Sequence, residues 1–545
     1  MNRARFLHLV LTILLAVLLP ACAGLAPQPD KPRLVVFLVV DGLPQRQVSG
    51  LRDQLALDGL ARFLDRGAWF SQAHHGHAHT VTAAGHAVML TGAYPHRTGI
   101  IGNDWRDPST GAVVYNTADP QASYIGNPTD PRRDGTSPKN LKVETLGDVL
   151  RRADPRSKVI AISGKDRGAI LLAGKSGTAY MYMEDTGLFV SSTYYMPRHP
   201  GWVDAFNAGR PADRYFGTQW RPLLPDAAYE RSLPDGQPWF GRPASAFPVL
   251  LGEGLAAPAP AYYYALLASP FVDALTLEFA RDAIASEQLG RDEATDILAL
   301  SLSGHDYVNH TWSAESRFSQ DHLLRLDLML QDFLRHLDAT VGKDNYIAVL
   351  TADHGFMPAP EVSRARGLDA GRIFFAQSVA RINAGLARRF GEGRWVLGNS
   401  ASSLFLNKRL IEEKGVPSET IALEARRLLI EEPGIGAAYT RGELLSGSRA
   451  GAPFFEAMRR SWHPDVSGEV QYAPKPNWMF GNAGATHGSP HSYDTHVPIL
   501  MYGPKWVKPG RVDTPVAVVD IAPTLARVLH VPAPSASEGK LLPLP

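Results

Sequence analysis

Apolar residues gather along the chain in short, nearly unbroken runs at 34–40, 158–162, 297–302, 346–350 and 497–502. Each is too short for a helix and rich in Val, Ile and Leu, which predicts strands buried on both faces. Between them, residues 319–338 place Leu323, Leu326, Leu330, Phe333, Leu334 and Leu337 at three- and four-residue spacing, which predicts an amphipathic helix. Strands alternating with helices predict an α/β fold, with a mostly parallel central sheet and helices on both faces. The stretches 194–264 and 355–480 are rich in Pro, Gly and aromatics. Compact domains rarely carry such lengths as bare loop, so they are expected to form cap segments inserted roughly at 187–265 and 360–480 of a catalytic domain spanning 31–545.

The N-terminus breaks this rhythm. Arg3 and Arg5 precede an apolar run over 6–19, too short for a bilayer span of about 20 residues. The pattern over 1–23 is that of an export signal. Leu19-Pro20-Ala21-Cys22 resembles a bacterial lipoprotein box, with Cys22 as the lipid anchor, and Ala21-Cys22-Ala23 also satisfies signal-peptidase cleavage. Both readings put the mature protein outside the cytoplasm, periplasmic, membrane-anchored or secreted.

Composition narrows the chemistry. Lys plus Arg number 55 against 54 Asp plus Glu, a net charge of +1, so no nucleic-acid partner is expected. One Cys beside 18 His excludes an intrachain disulfide and leaves imidazole and carboxylate as the metal ligands. Three strand runs end in such groups: Asp41-Gly42, Gly304-His305-Asp306 and Asp353-His354-Gly355. Loops at the carboxyl ends of parallel strands gather in one crevice, and three carboxylates meeting there need countercharge. Asp306 and His310, four residues apart, can face one ion from a helical turn. His487 sits in a Gly-rich loop before the last strand run. Thr82 opens a Thr-Ala-Ala-Gly-His86 segment. Its hydroxyl is a nucleophile candidate if a metal activates it, and a helix cap otherwise.

Taken in order, these motifs resemble the alkaline phosphatase superfamily, most closely the bacterial phosphate-irrepressible alkaline phosphatases related to nucleotide pyrophosphatase/phosphodiesterases. Val40-Asp41-Gly42, Thr82 to His86, Gly99 to Trp105, Asp306 to His310, Thr351 to Gly355, Thr486 to Pro490 and Val519 to Thr524 carry the likeness over most of the chain. The resemblance implies two zinc ions, one held by Asp306, His310 and His487, the other by Asp41, Asp353 and His354 with the Thr82 oxygen. His86 lies outside that ligand set and is read as supporting.

The resemblance also gives meaning to Ser163-Gly-Lys165-Asp-Arg167. Two cations so placed are otherwise an ordinary solvated turn. In the phosphate-irrepressible branch the matching Lys and Arg contact the non-bridging phosphoryl oxygens, and Asn103 matches another donor. A monoester dianion carries more charge than a diester, so such donors favour it. The expectation is therefore a small-molecule phosphomonoesterase acting through a phosphothreonine on Thr82, as a monomer. The nearest rival is a phosphodiesterase of the same superfamily. A sulfatase lacks support, since no Cys or Ser stands in a Cys/Ser-x-Pro-x-Arg context. A non-catalytic zinc-binding lipoprotein would rest on His74-His75-Gly-His77-Ala-His79, a tract expected instead to be a polar loop beside the nucleophile segment.

Overall fold

A computed structural model describes residues 31–545 apart from 131, 243 and 244. Residues 1–23, the expected export signal with Cys22, lie outside the described residues. Nine strands form the main sheet: β1 (Leu34–Val40), β2 (Ala68–Phe70), β3 (Val159–Ser163), β4 (Thr178–Tyr182), β5 (Phe189–Val190), β6 (Asp296–Leu302), β7 (Tyr346–Thr351), β8 (Ile499–Tyr502) and β9 (Gly510–Val512). Their order is β9-β2-β8-β7-β1-β6-β3-β4-β5. The five central strands from β7 to β4 are parallel, while β8 and β5 run against their neighbours. The last apolar run is thus part of the sheet but reversed, because a run buried on both faces carries no mark of its direction.

Every residue of β1, β6 and β7 is buried. Helices α1 (Thr82–Thr91) and α2 (Asp166–Ala173) pack together on one face, and α3 (Pro270–Glu287), α4 (Gly304–Trp312) and α5 (Arg317–Leu337) on the other. The α5 stripe named from the sequence is entirely buried, and the helix starts at a Ser316 cap whose side chain accepts the Ser319 N–H.

Register decides where the chemistry falls. Val40 lies opposite Leu302, and Val39 opposite both Ser301 and Thr351. The strands therefore end level, and the residues just beyond them emerge together at the carboxyl edge.

The chain between β7 and β8 builds a second core. Val396–Ser400, Ser403–Leu406, Val470–Pro474 and Ile435–Thr440 make a four-stranded sheet. Helices Phe375–Phe390 and Ser418–Ile430 cover it, burying Ile382, Leu386, Trp395, Ile421 and Leu429. Its hairpin tip reaches back to the main site, where Ser402 Oγ lies 2.8 Å from His79 Nδ1. Among the described residues no helix is long and apolar enough to cross a membrane.

Candidate metal and phosphoryl site

Asp41, one residue beyond β1, and Asp353, two beyond β7, meet the first turn of α4, which carries Asp306. The backbone is tight enough that a Cβ on Gly42 would lie 3.1 Å from Asp306 Oδ1, and Gly42 takes a left-handed φ of 71°. Gly42 N–H donates to Asp353 Oδ1 at 3.0 Å, so the two strand exits are joined.

The three histidines share one posture. His310 Nδ1 meets Ala485 O at 3.1 Å, His354 Nδ1 meets Gly355 O at 2.9 Å, and His487 Nδ1 meets Thr80 O at 2.8 Å. A carbonyl can only accept, so each Nδ1 carries the proton and each Nε2 keeps its lone pair. Those lone pairs face carboxylates. His310 Nε2 and His487 Nε2 lie 3.4 and 3.6 Å from Asp306 Oδ1. His354 Nε2 lies 3.5 Å from Asp41 Oδ1 and 3.4 Å from Asp353 Oδ2. The His354 and His487 rings stack with centroids 3.3 Å apart.

Acceptors aimed at acceptors need a cation between them. Asp41 Oδ1, Asp306 Oδ1, Asp353 Oδ2 and His354 Nε2 are buried without a hydrogen-bond partner among the described residues. Burial and the neighbouring Asp353 push the Asp41 carboxyl well above its usual range. Burial also acts to raise Asp306, yet His310 and Lys165 hold it below that range. The orphaned atoms, the hard oxygens and the bare imidazole nitrogens fit divalent metal ions.

His86 is close but committed elsewhere. Its Nδ1 lies 2.8 Å from Thr82 O and 3.3 Å from Asp353 Oδ2, while Nε2 meets Ser301 Oγ at 2.8 Å. With both nitrogens taken, it steadies Asp353 and the start of α1. His305, next to Asp306, points away: its nitrogens meet Gln47 Oε1 at 2.8 Å and His322 Nδ1 at 3.2 Å.

Thr82 is buried at the first position of α1, and Val81 occupies the cap position without a side-chain bond to the helix. The threonine is therefore not the cap. Two contacts fix where it stands. His487 holds Thr80, and a Cβ on Gly85 would fall 2.1 Å from Asp353 O. These contacts set the backbone of Thr82 at the helix start, where the first-turn N–H groups favour an anion. Asn103 joins it, its Oδ1 accepting the Ala83 N–H at 2.9 Å.

Lys165 is buried and its Nζ donates to Asp41 Oδ2 at 2.7 Å and Asp306 Oδ2 at 2.6 Å. Burial disfavours the ammonium, but Asp306 and Asp41 hold its pKa above the ordinary lysine value. Two of its three donors are thus spent on candidate metal ligands. Arg167 reaches Tyr115 Oη at 3.2 Å, a partner with no spacing signal in the sequence. Asn309 was also unmarked; its Nδ2 donates to Gly42 O at 3.1 Å and ties α4 to β1. The structure brings all ten sequence-derived residues to this one edge of the sheet.

The His74–His79 tract differs from the expected polar loop. His75 and His77 are buried, and neither nitrogen of His77 has a partner among the described residues.

Residues 35–396 match the model of the type I phosphodiesterase / nucleotide pyrophosphatase family. The chain belongs to that family. It is 33% identical to alkaline phosphatase PhoV of Synechococcus elongatus, covering 94% of this chain and 92% of that protein. It is 32% identical to alkaline phosphatase PafA of Elizabethkingia meningoseptica, over 94% of each. A Myroides odoratus protein named as a calcium-transporting ATPase is 34% identical, again over 94% of each chain. The crystal structure of PafA superposes with a TM-score of 0.86 at 31% identity, covering 94% of this chain and 98% of that one. The family member described here is an alkaline phosphatase, a phosphate monoester hydrolase of the alkaline phosphatase superfamily, and the likeness carries metal dependence with it.

Proposed function

We propose an extracytoplasmic, two-zinc phosphomonoesterase for small-molecule esters that works through a phosphothreonine at Thr82. The observation that carries this reading is the set of bare Nε2 atoms and unpartnered carboxylate oxygens beside an uncapped helix start. Asp306, His310 and His487 would hold one ion, and Asp41, Asp353 and His354 with the Thr82 oxygen the other. Bound there, divalent ions supply Lewis-acid stabilisation to the attacking and leaving oxygens.

The chain's own residues supply the rest. Asn103, Lys165 and Arg167 donate to the non-bridging oxygens and orient the phosphoryl group in line with Thr82. Thr82 Oγ1 forms a bond to phosphorus as the ester oxygen leaves, and water then cleaves the phosphothreonine to release phosphate. Support comes from a solved PafA variant with substitutions at a Thr, an Asn, a Lys and an Arg. Their spacing along that chain is the same as that of Thr82, Asn103, Lys165 and Arg167 here. We place the export signal at 1–23, a lipid anchor at Cys22, cap insertions roughly at 187–265 and 360–480, and a monomer as the working form.

Thr82→Ala is the test. Turnover is expected to fall by roughly 10⁴-fold or more while metal content persists. Acid-quenched parent enzyme should carry phosphate on the peptide containing Thr82, and the variant should not. Full activity in Thr82→Ala would remove the proposed nucleophile. The family model's diesterase name gives the alternative, a diester preference, which rates on aryl monoesters and diesters decide.

A further inference from the structure

The two-stranded ribbon Asp104–Arg106 with Val113–Tyr115 sits between Asn103 and Arg167, with Asp104 paired to Tyr115. At one end of it, Asn116 donates its backbone N–H and its side-chain amide to Asn103 O, at 3.2 and 2.7 Å. At the same end, Tyr115 Oη donates to Asp166 Oδ1 at 2.6 Å and accepts from Arg167 Nη1 at 3.2 Å. Asp166 is itself pinned, since its Oδ2 accepts the Gly135 N–H at 2.6 Å. A Cβ on Gly135 would lie 2.1 Å from Thr117 Oγ1 and 2.8 Å from Asp166 Oδ2, so the close approach of backbone to carboxylate there needs a glycine.

This geometry separates Tyr115 from an ordinary buried phenol. The direct Arg167–Asp166 approach is 3.8 Å, longer than either of the two hydrogen bonds that join them through the hydroxyl. The phenolic proton is committed to Asp166, so the oxygen presents a lone pair to Arg167. A guanidinium fork selects phosphoryl oxygens only if its plane is held, and one arm tethered to a fixed hydroxyl leaves the others free to donate.

We propose that Tyr115 is a positioning residue for the monoester reaction. Through Asp166 it locks the Arg167 fork, and the ribbon it ends also sets Asn103, so one element aligns two phosphoryl donors. This rests on the reading that Arg167 binds the phosphoryl group.

A double-mutant cycle of Tyr115→Phe and Arg167→Ala, assayed on an aryl monoester and an aryl diester, tests it. Tyr115→Phe is expected to lower monoester kcat/KM about 10-fold and to weaken inhibition by inorganic phosphate in parallel, with diester turnover within about 2-fold. In the Arg167→Ala background the same change should cost less than about 2-fold. Equal losses in both backgrounds would overturn the positioning role. Equal loss of monoester and diester activity in Arg167→Ala alone would instead overturn the phosphoryl reading of Arg167. Thermal melting checks folding. Should Tyr115→Phe fail to fold, Asp166→Asn weakens the same acceptor and must show the same dependence on Arg167.

Discussion

Two sets of histidines lie on either side of the nucleophile segment, and they could hardly be used more differently. His310, His354 and His487 come from three distant parts of the chain, yet each turns a bare Nε2 toward the same carboxylates. His74, His75, His77 and His79 crowd into six residues and meet a backbone carbonyl, hydroxyls and neighbouring rings rather than carboxylates. His75 Nε2 meets Ala352 O at 3.0 Å, His74 stacks on His496 with centroids 4.5 Å apart, and His77 is unpartnered among the described residues. Ligand density along a sequence is therefore not convergence in space. Strand topology supplies the convergence, and a carbonyl on each Nδ1 then fixes which nitrogen is offered.

The comparison breaks most sharply by exchanging losses between the sets. His487→Ala is expected to lower bound metal by about one ion and turnover by roughly 1,000-fold or more. His77→Leu, which replaces an unpartnered buried imidazole by an apolar group, should keep both metals and stay within about 3-fold of parental turnover. Metal analysis of the purified variants beside aryl-phosphate rates decides. Loss of metal in His77→Leu would mean that the dense tract, not the converging set, holds an ion.

A smaller effect sharpens the division between groups that hold metal and groups that hold substrate. Replacing Lys165 and Arg167 together with Ala should depress monoester turnover about 100-fold and diester turnover less than about 10-fold. The reason is charge, since the diester lacks the second negative oxygen that these donors would meet. Because Lys165 also bridges Asp41 and Asp306, Lys165→Ala alone should shift the metal requirement in a chelator titration, and Arg167→Ala should not. Equal losses on the two substrates would end the case for a monoester clamp.

Much of this was legible in the sequence because buried parallel strands are long, apolar and end abruptly. Asp41 and Asp353 stand one and two residues past such runs, and Asp306 and His310 keep helical spacing within α4. What was not legible depends on orientation. Nothing in Gly304-His305-Asp306 says that the imidazole turns to Gln47 while the carboxylate turns to the metal site. Nothing in the 497–502 run marks it as antiparallel. Tyr115 and Asn309 reach Arg167 and Gly42 by hydrogen bonds across more than fifty and more than two hundred residues of chain, separations at which spacing is silent. The His tract, expected as a polar loop, has His75 and His77 buried, and His79 Nδ1 meets Ser402 Oγ at the left-handed hairpin tip of the second core; burial of this kind leaves no mark in the local sequence.

The smallest expected effect reads the tract's burial directly, through pH. Burial is the largest cause depressing His75, whose pKa falls to about 4, and His79 is likewise pushed down to about 4. An unfolded histidine titrates near 6.5, so between pH 6.5 and 4 the unfolded chain binds protons that the folded protein refuses. The stability these residues contribute is thus fully present above pH 6.5 and is lost as pH falls toward 4. Each such group adds a slope of up to about 1.4 kcal/mol per pH unit in that window. Acid also protonates the candidate metal ligands, so the informative quantity is the difference between parent and variant in denaturant unfolding at pH 7.5, 6.0 and 5.0. His75→Gln keeps a donor for Ala352 O without a titrating group, and its curve should be flatter by about one proton while both proteins bind the same metal. Parallel curves for the two would show that His75 takes up its proton alike in the folded and unfolded protein, and with it that this half of the comparison is wrong.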